Sequence, residues 1–357
     1  MKRLFVLLLS LSLSGCMTAT GSRQDVTNGE KRIATLIAVG DNLIHDAVYE
    51  SAVSGSGYDF RPIYAGVADV IAGHDLKFVN QETILGGADL GLSSYPRFNS
   101  PFAVGDALVD LGFNLISIAN NHTLDKGEIG VINAVNYWQT QPVIYAGAEK
   151  AEGDAHVKVF TKNGIRFAFA AYTYGTNGIP HPDGKTHLAC LYSNERARAD
   201  IESVRSKVDV VIVSMHWGEE YQDYPNVAQK RQAEFLSDLG ADIIIGHHPH
   251  VIQPVDLIEN KAGRETFVIY SLGNFLSGQI GTDRLIGMAV WLEIALVANR
   301  LSFTKAKARL LFHYRDNGVY RVIPYADIPS GFLTDYDYYF AAKKQLIRHF
   351  YDKIEVS

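Results

Sequence analysis

Five short clusters of metal-capable residues each close an apolar run. They are Gly40-Asp41-Asn42-Leu43-Ile44-His45, Asn80-Gln81-Glu82, Asn120-Asn121-His122, His216-Trp217-Gly218-Glu219-Glu220 and Gly246-His247-His248-Pro249-His250. Carboxylates, imidazoles and an amide oxygen are donors for divalent metals, and a hard anionic ligand such as Asp41 suits Mn, Fe or Zn. His248 and His250 flank Pro249, which favours an extended backbone. Alternate side chains then share a face, so both imidazoles reach one centre and His247 serves a supporting role.

The remaining clusters divide by what each donor can do. His45 joins Asp41 if the chain turns into a helix there; a lone Asp at a strand end otherwise caps a helix. Glu82 is either a carboxylate bridging two cations or a solvated side chain. Asn121 is a weak neutral ligand that needs stronger neighbours. His122, next to it, is better placed to hand over a proton, with Asp125 orienting its ring or capping the following helix. His216 ends the most apolar run and reads as a ligand. Trp217, Glu220 and Tyr221 line the mouth of the site, or Trp217 and Tyr221 pack beneath a loop. Asn80, Ser271 and Asn274 are candidates to orient ligands. Arg97, in a Gly- and Ser-rich loop, contacts an anion if it reaches the pocket, and is otherwise solvated.

These residues need a scaffold that brings distant loops together. Ile33–Val39, Leu76–Val79, Asn114–Ala119, Val208–Met215 and Asp242–Ile245 read as buried strands ending at the clusters. Helical spacing separates them over Phe60–Gly73, Phe102–Leu111, the stretch from Ile129 to Trp138, Glu195–Ser206 and Val227–Leu239. An Asn163-Gly164 turn marks a hairpin, and residues 86–101 and 175–187 read as long loops. From Val251 onward strands follow one another until an aromatic-rich helix over 335–351. Alternating β and α followed by mostly β predicts a layered α/β fold, met by two sheets flanked by helices.

The N-terminus reads differently. Lys2 and Arg3, a short apolar run and Leu13-Ser14-Gly15-Cys16 make residues 1–16 a lipoprotein-type signal, with Cys16 the lipidated first residue of the mature chain. Residues 17–31 read as a polar tether and 32–357 as the folded domain. The expectation is an exported, membrane-anchored lipoprotein, held in the outer membrane if the cell has two, because Met17 follows the cysteine. The apolar run is too short to span a bilayer. Cys190 is then unpaired and reads as a small buried hydrophobe. A net charge of −6 without a basic stripe argues against nucleic acid. The chain has no Gly-x-Ser-x-Gly, P-loop or dinucleotide fingerprint.

Taken in order, Gly40-Asp41, Asn80-Gln81-Glu82-Thr83, Asn120 to Gly127, His216 to Tyr221, Gly246 to Val251 and Ser271 to Phe275 resemble the CapA family of poly-γ-glutamate capsule proteins. That family looks like a branch of the calcineurin-like metallophosphoesterases. The resemblance implies a four-layer αββα sandwich and a two-metal site. It places Asp41, Glu82, Asn121, His216, His248 and His250 as ligands and His122 as proton donor. Two residues depart from the usual pattern: Leu43 stands where a His would follow Asp41, leaving His45 as its substitute, and Glu82 stands for an Asp. The implied partners are an anionic cell-envelope polymer such as poly-γ-glutamate and other membrane proteins of capsule synthesis. The implied activity is metal-dependent hydrolysis of a phosphoester or amide. The competing expectation is a non-catalytic polymer-binding or export component.

Overall fold

The computed structural model describes residues 31–357. The signal with Cys16, and residues 17–30 of the tether, lie outside the described residues. Among the described residues no helix is long and apolar enough to cross a membrane.

The first half of the chain supplies β1 (Arg32–Leu43), a small hairpin of β2 (Val53–Ser54) and β3 (Gly57–Tyr58), then β4 (Leu76–Gln81), β5 (Leu115–Ser117) and β6 (Ile144–Ala146). Next come β7 (Lys158–Lys162), β8 (Ile165–Thr173), β9 (Val210–His216), β10 (Ile243–His247), β11 (Ile252–Glu259) and β12 (Glu265–Leu272). The chain ends with β13 (Asn274–Ser277), β14 (Ile286–Val297), β15 (Arg300–Asp316), β16 (Val319–Pro324) and β17 (Glu355–Val356). One sheet runs β16-β15-β14-β1-β4-β5-β6, with β13 beside β1 and β17 beside β15; the other runs β11-β12-β10-β9-β8-β7. The strands that carry the clusters are parallel within each sheet: β1 with β4 and β4 with β5, and β9 with β10. The β-rich C-terminal part completes both sheets: β11, β14, β15 and β16 add antiparallel pairs, whereas β12, β13 and β17 run parallel to β10, β1 and β15.

Alternation along the strands makes the layers. Leu36 and Ala38 of β1 face the other sheet, where they meet Phe167, Phe169, Ile212 and Ile269; Ile37 and Val39 face the helices of the first sheet. On β9, Val210 and Ile212 point between the sheets, whereas Val211 and Val213 pack on helices 194–205 and 227–239. The result is helix, sheet, sheet, helix: the expected four-layer αββα sandwich. Each fully buried Phe or Ile contributes about 1.5–3 kcal/mol relative to exposure.

Some expectations change in detail. The helix expected over Phe60–Gly73 is broken into Arg61–Tyr64, a 3-10 turn at Ala65–Val67 and Ala68–Ile71. Gly66 sits where a Cβ would come within 2.7 Å of Ile323 Cγ2 and of the Val322 carbonyl, so this segment bends to fit against β16. The Asn114–Ala119 strand shrinks to Leu115–Ser117, and the final helix to Tyr336–Ile347. Asn163 and Gly164 take positive φ in the expected hairpin turn, and Gly240 closes helix Val227–Leu239 in the left-handed conformation.

Candidate metal centre

The site lies at the C-terminal ends of the parallel strands, where the inner faces of both sheets meet. Strand parity delivers most of its side chains: Asn80 and Glu82 follow Phe78 on the inner face, and His216 and His247 follow Ile212 and Ile245. Asp41 breaks parity. A register shift between Val39 and Asp41 places Asp41 opposite Asn80, on the inner face, and turns Asn42 toward the helices. Gly40 permits the shift, since a Cβ there would lie 1.8 Å from the Gly273 carbonyl oxygen, which also accepts the Asp41 N–H at 3.0 Å.

Behind the site a second row locks this register. Asn42 Nδ2 donates to Gln81 Oε1 at 2.8 Å, and Tyr64 OH donates to Asn42 Oδ1 at 2.8 Å. Gln81 Nε2 donates to the Thr83 carbonyl at 2.9 Å.

Ligand-type atoms of Asp41, Glu82 and His250 lie within 4.8 Å of one another, as do those of Glu82, His216 and His248. Glu82 belongs to both groups. Glu220 with His248 and His250, and Asp41 with His216 and His247, form two more. The Glu82 Oε1 atom lies 3.6 Å from His250 Nε2 and 3.8 Å from His216 Nε2. Those separations are too long for hydrogen bonds. They fit ligand atoms sharing an ion, which with bonds of about 2.1 Å stand roughly 3.4 Å apart. Glu82 Oε1 and His248 Nδ1 are buried without a hydrogen-bond partner among the described residues. A buried carboxylate oxygen left bare is costly, and a cation would relieve that cost.

The electrostatics agree. Burial, then the neighbouring Asp41 carboxylate, pushes Glu82 well above the usual carboxylate range. Burial also works against the Asp41 anion, but the hydrogen bond and charge of His250 outweigh it and hold Asp41 below its ordinary value. Burial first, and neighbouring imidazoles second, hold His216 well below the usual histidine range. His248 is lowered to about 3 and His247 to about 4, burial being the main cause in both. Neutral imidazoles are the form that ligates metals.

Hydrogen bonds orient the set. Asn80 Nδ2 donates to Asp41 Oδ1 at 2.8 Å, and the His248 N–H donates to Asp41 Oδ2 at 3.2 Å. His250 Nδ1 lies 3.0 Å from Asn274 Oδ1 and 3.1 Å from Asp41 Oδ2. His216 Nε2 lies 2.8 Å from Asn121 Oδ1, and its Nδ1 lies 2.8 Å from His247 Nδ1; His247 Nε2 is 2.5 Å from Ser214 Oγ. Ser214 Oγ donates onward to Ser117 Oγ at 3.0 Å, across the two sheets. For His216 to ligate through Nε2, its proton sits on Nδ1, and His247 accepts it. This relay therefore fixes the ligating tautomer.

Beside the cluster, His122 Nδ1 donates to Asp125 Oδ2 at 2.7 Å, and Asp125 also accepts the Phe98 N–H at 2.7 Å. Asp125 thus orients the imidazole and does not cap the helix at Gly127, whose N-terminal residue Lys126 makes no side-chain cap. A cleft of about 360 Å³ adjoins, lined by Tyr95, Arg97, Asn121, His122, Asn177 and Glu220 among others. Arg97 therefore reaches the pocket.

Three expectations are corrected. His248–His250 is not extended: His248 and His250 have φ of 100° and 59°. The left-handed kinks at these two residues, and not strand alternation, shape the loop that brings the rings to 5.8 Å centroid separation. His45 stays outside the groups, because its Nδ1 accepts the Gly278 N–H at 3.0 Å and its ring packs edge-on against Phe98. Ser271 holds the loop and touches no ligand: its hydroxyl donates to the Val251 carbonyl at 2.7 Å and accepts the Gly273 N–H at 3.2 Å. Trp217 is buried, donating to the Tyr270 carbonyl at 2.9 Å, whereas Tyr221 is 44% exposed near His250.

Three neighbours carried no motif. Tyr174 lies parallel to the His216 ring at 6.1 Å and 4.8 Å from His248; Asn177 Oδ1 accepts Asn121 Nδ2 at 3.2 Å; Phe98 meets His122 edge-on at 4.7 Å. Phe98 and Asn177 sit on the two long loops, where only a Gly/Pro-rich composition marked the sequence, and Tyr174 sits between β8 and the second of them.

The family model described as "Bacterial capsule synthesis protein PGA_cap" matches residues 35–279. The chain is 34% identical over 181 residues to "PGA biosynthesis protein CapA" of Bacillus subtilis, covering 48% of this chain and 44% of that protein. It is 29% identical over 307 residues to "Capsule biosynthesis protein CapA" of Bacillus anthracis, covering 82% of this chain and 67% of that protein. The chain thus spans under half the length of the first relative. Among solved structures, Haemophilus influenzae NAD nucleotidase superposes with a TM-score of 0.50 at 12% identity, covering 92% of this chain and 64% of that one. That likeness concerns the fold alone.

Proposed function

We propose that this chain, which belongs to the bacterial capsule synthesis protein PGA_cap family, is a metal-dependent hydrolase that cuts an anionic polymer of the cell envelope, of the poly-γ-glutamate kind. The observation that carries the reading is the pair of ligand groups sharing Glu82, with Glu82 Oε1 and His248 Nδ1 buried and bare, beside the His122–Asp125 pair. The residues fit two divalent ions of the Mn, Fe or Zn type. Asp41, Glu82 and His250 would hold one; Glu82, His216, His248 and Asn121 the other. When bound, such ions lower the pKa of water and polarise the scissile group.

The chain's own residues supply the rest. Asp125 accepts a hydrogen bond from the His122 Nδ1–H, which leaves Nε2 as the edge that, from the imidazolium form, would hand a proton to the leaving group and return the ring to neutral. Phe98, edge-on to that ring, excludes water from one side of it. Asn177 holds the Asn121 amide so that its oxygen points to His216.

The test is turnover by the metal-loaded chain on three substrate classes: a phosphodiester, a phosphomonoester and a γ-glutamyl amide. Hydrolysis of the γ-glutamyl amide, abolished in His122→Ala with metal content intact, is the expected result. A second reading, polymer binding without catalysis, draws on His45, which does not replace the His absent at Leu43. Full metal content with no turnover on any class would favour it.

A further inference from the structure

The final helix, Tyr336–Ile347, buries a charge. Lys343 is 3% exposed, whereas the other buried residues of the helix, Leu346 and Ile347, are apolar. An ammonium is strongly hydrated in water, so a buried one needs anionic partners. Lys343 has two. Its Nζ lies 2.7 Å from Asp283 Oδ1 and 3.7 Å from Asp223 Oδ1. The helix packs on β11, yet neither partner comes from a strand.

Both carboxylates belong to segments at the mouth of the metal centre. Asp223 is in the 217–226 loop between β9 and helix Val227–Leu239, which carries Glu220 and Tyr221. Asp283 is in a single helical turn, Thr282–Leu285, between β13 and β14. Each segment leads to His250. The Tyr221 N–H donates to the Pro249 carbonyl at 2.8 Å, between His248 and His250. From the other segment, the Arg284 carbonyl accepts Asn274 Nδ2 at 3.1 Å, and Asn274 Oδ1 lies 3.0 Å from His250 Nδ1.

The two segments also touch at Tyr221. Gln279 Nε2 donates to its hydroxyl at 3.4 Å, and the Arg284 guanidinium lies 4.3 Å over its ring. Those contacts are weak, because the bond is long and Tyr221 is 44% exposed. Yet Tyr221 has φ of 67°, a left-handed backbone that a non-glycine residue keeps only where its surroundings hold it. The buried joint between the segments is Lys343. Tyr224, in the same loop, meets His349 just past the helix edge-on at 5.0 Å. We infer that Lys343 is a positioning residue of the metal centre: it clamps the 217–226 and 278–285 segments together and thereby holds His250, which both segments reach. The consequence for His250 rests on the proposed metal centre; the clamp itself does not.

The experiment is hydrogen exchange by mass spectrometry on the whole chain, metal-free, with Mn²⁺ release to a chelator measured in parallel. Lys343→Met keeps an unbranched stem and removes the charge. Exchange in 217–226 and 278–285 should quicken by about threefold to tenfold, the range for losing a charge partner. Helix 336–347 and β11 should exchange as in the parent. Mn²⁺ release should quicken by about threefold or more. Lys343→Arg should return both quantities part of the way. Asp223→Asn combined with Asp283→Asn leaves the helix untouched and should loosen the same two segments, so the inference stays exposed to test even if Lys343→Met fails to fold. Parent-like exchange in both segments would overturn it. So would an equal loss of protection in helix 336–347, since the lysine would then only seat the helix. Looser segments with unchanged Mn²⁺ release would overturn the hold on His250. A parent chain that binds no Mn²⁺ would sink the metal-centre reading, and exchange would still decide the clamp.

Discussion

His122 and His248 are both buried imidazoles in one site, yet their partners assign them different work. His122 is paired with Asp125, whereas His248 has a bare Nδ1 among other ligand-type atoms. His248→Ala should lower metal affinity by more than about tenfold, read by equilibrium dialysis, whereas His122→Ala should keep the metal and lose about 10²–10⁴ in turnover, the usual range for a general acid. Full activity in His122→Ala would remove its assigned role. His247 makes its contribution through His216: His247→Phe should keep the fold and cost about 10–100-fold in metal affinity. A fourth histidine concerns stability. His313 is buried, with Nε2 3.2 Å from Ser277 Oγ; burial, with a smaller effect of His45, lowers it from 6.5 to about 3. The folded state therefore resists the proton that the unfolded chain accepts. The stability it contributes is complete above about pH 6.5 and is lost as pH falls toward about 3. His313→Gln should consequently lose about 2 kcal/mol less than the parent between pH 7 and pH 5 in urea unfolding. Parallel losses in both proteins would show that His313 is not the acid-sensitive group.

At the scale of elements, the strand ends decide which donors meet, and the least visible device is the register shift at Gly40. Gly40→Ala would drive a methyl into the Gly273 carbonyl. It should cost about 3 kcal/mol, the upper part of the overpacking range, and reduce metal content because Asp41 loses its aim. Unchanged metal content would mean that Asp41 is not held by this shift. The same device shows what the sequence could reveal. Runs such as Val208–Met215 and Asp242–Ile245 located the strands, because buried parallel strands are continuously apolar. The residues at their ends gave Glu82, His216 and the His247–His250 stretch. Parity alone would have turned Asp41 toward the helices; a one-residue shift leaves no signature in hydrophobic spacing. The kinked His248–His250 loop was hidden for a similar reason, since Pro249 suggests extension and the left-handed φ values are set by tertiary contacts. His45 misled because a metal-capable residue near a ligand says nothing of which backbone N–H its ring must satisfy. Tyr174 and Asn177 lie on a loop whose path is fixed by packing on both sheets.

As a whole molecule, the sandwich brings loops from two sheets to one edge, so that Ser117 and Asn121 of the first meet Ser214 and His216 of the second. We propose that the tether and a lipidated Cys16 hold the domain at the membrane, within reach of a polymer leaving the cell. Cys16→Ser should move the protein from the membrane fraction to the soluble exported fraction and end incorporation of a labelled fatty acid. Persistence in the membrane would point to another anchor. On the hydrolase reading Glu82 joins the two ligand groups into a dinuclear centre. Its most direct test is elemental analysis of the purified chain from residue 17 onward, reconstituted with Mn, Fe or Zn. Close to two tightly held ions per chain are expected, falling to one or fewer in Glu82→Gln. One ion or none in the parent chain, after reconstitution with each metal, would contradict it.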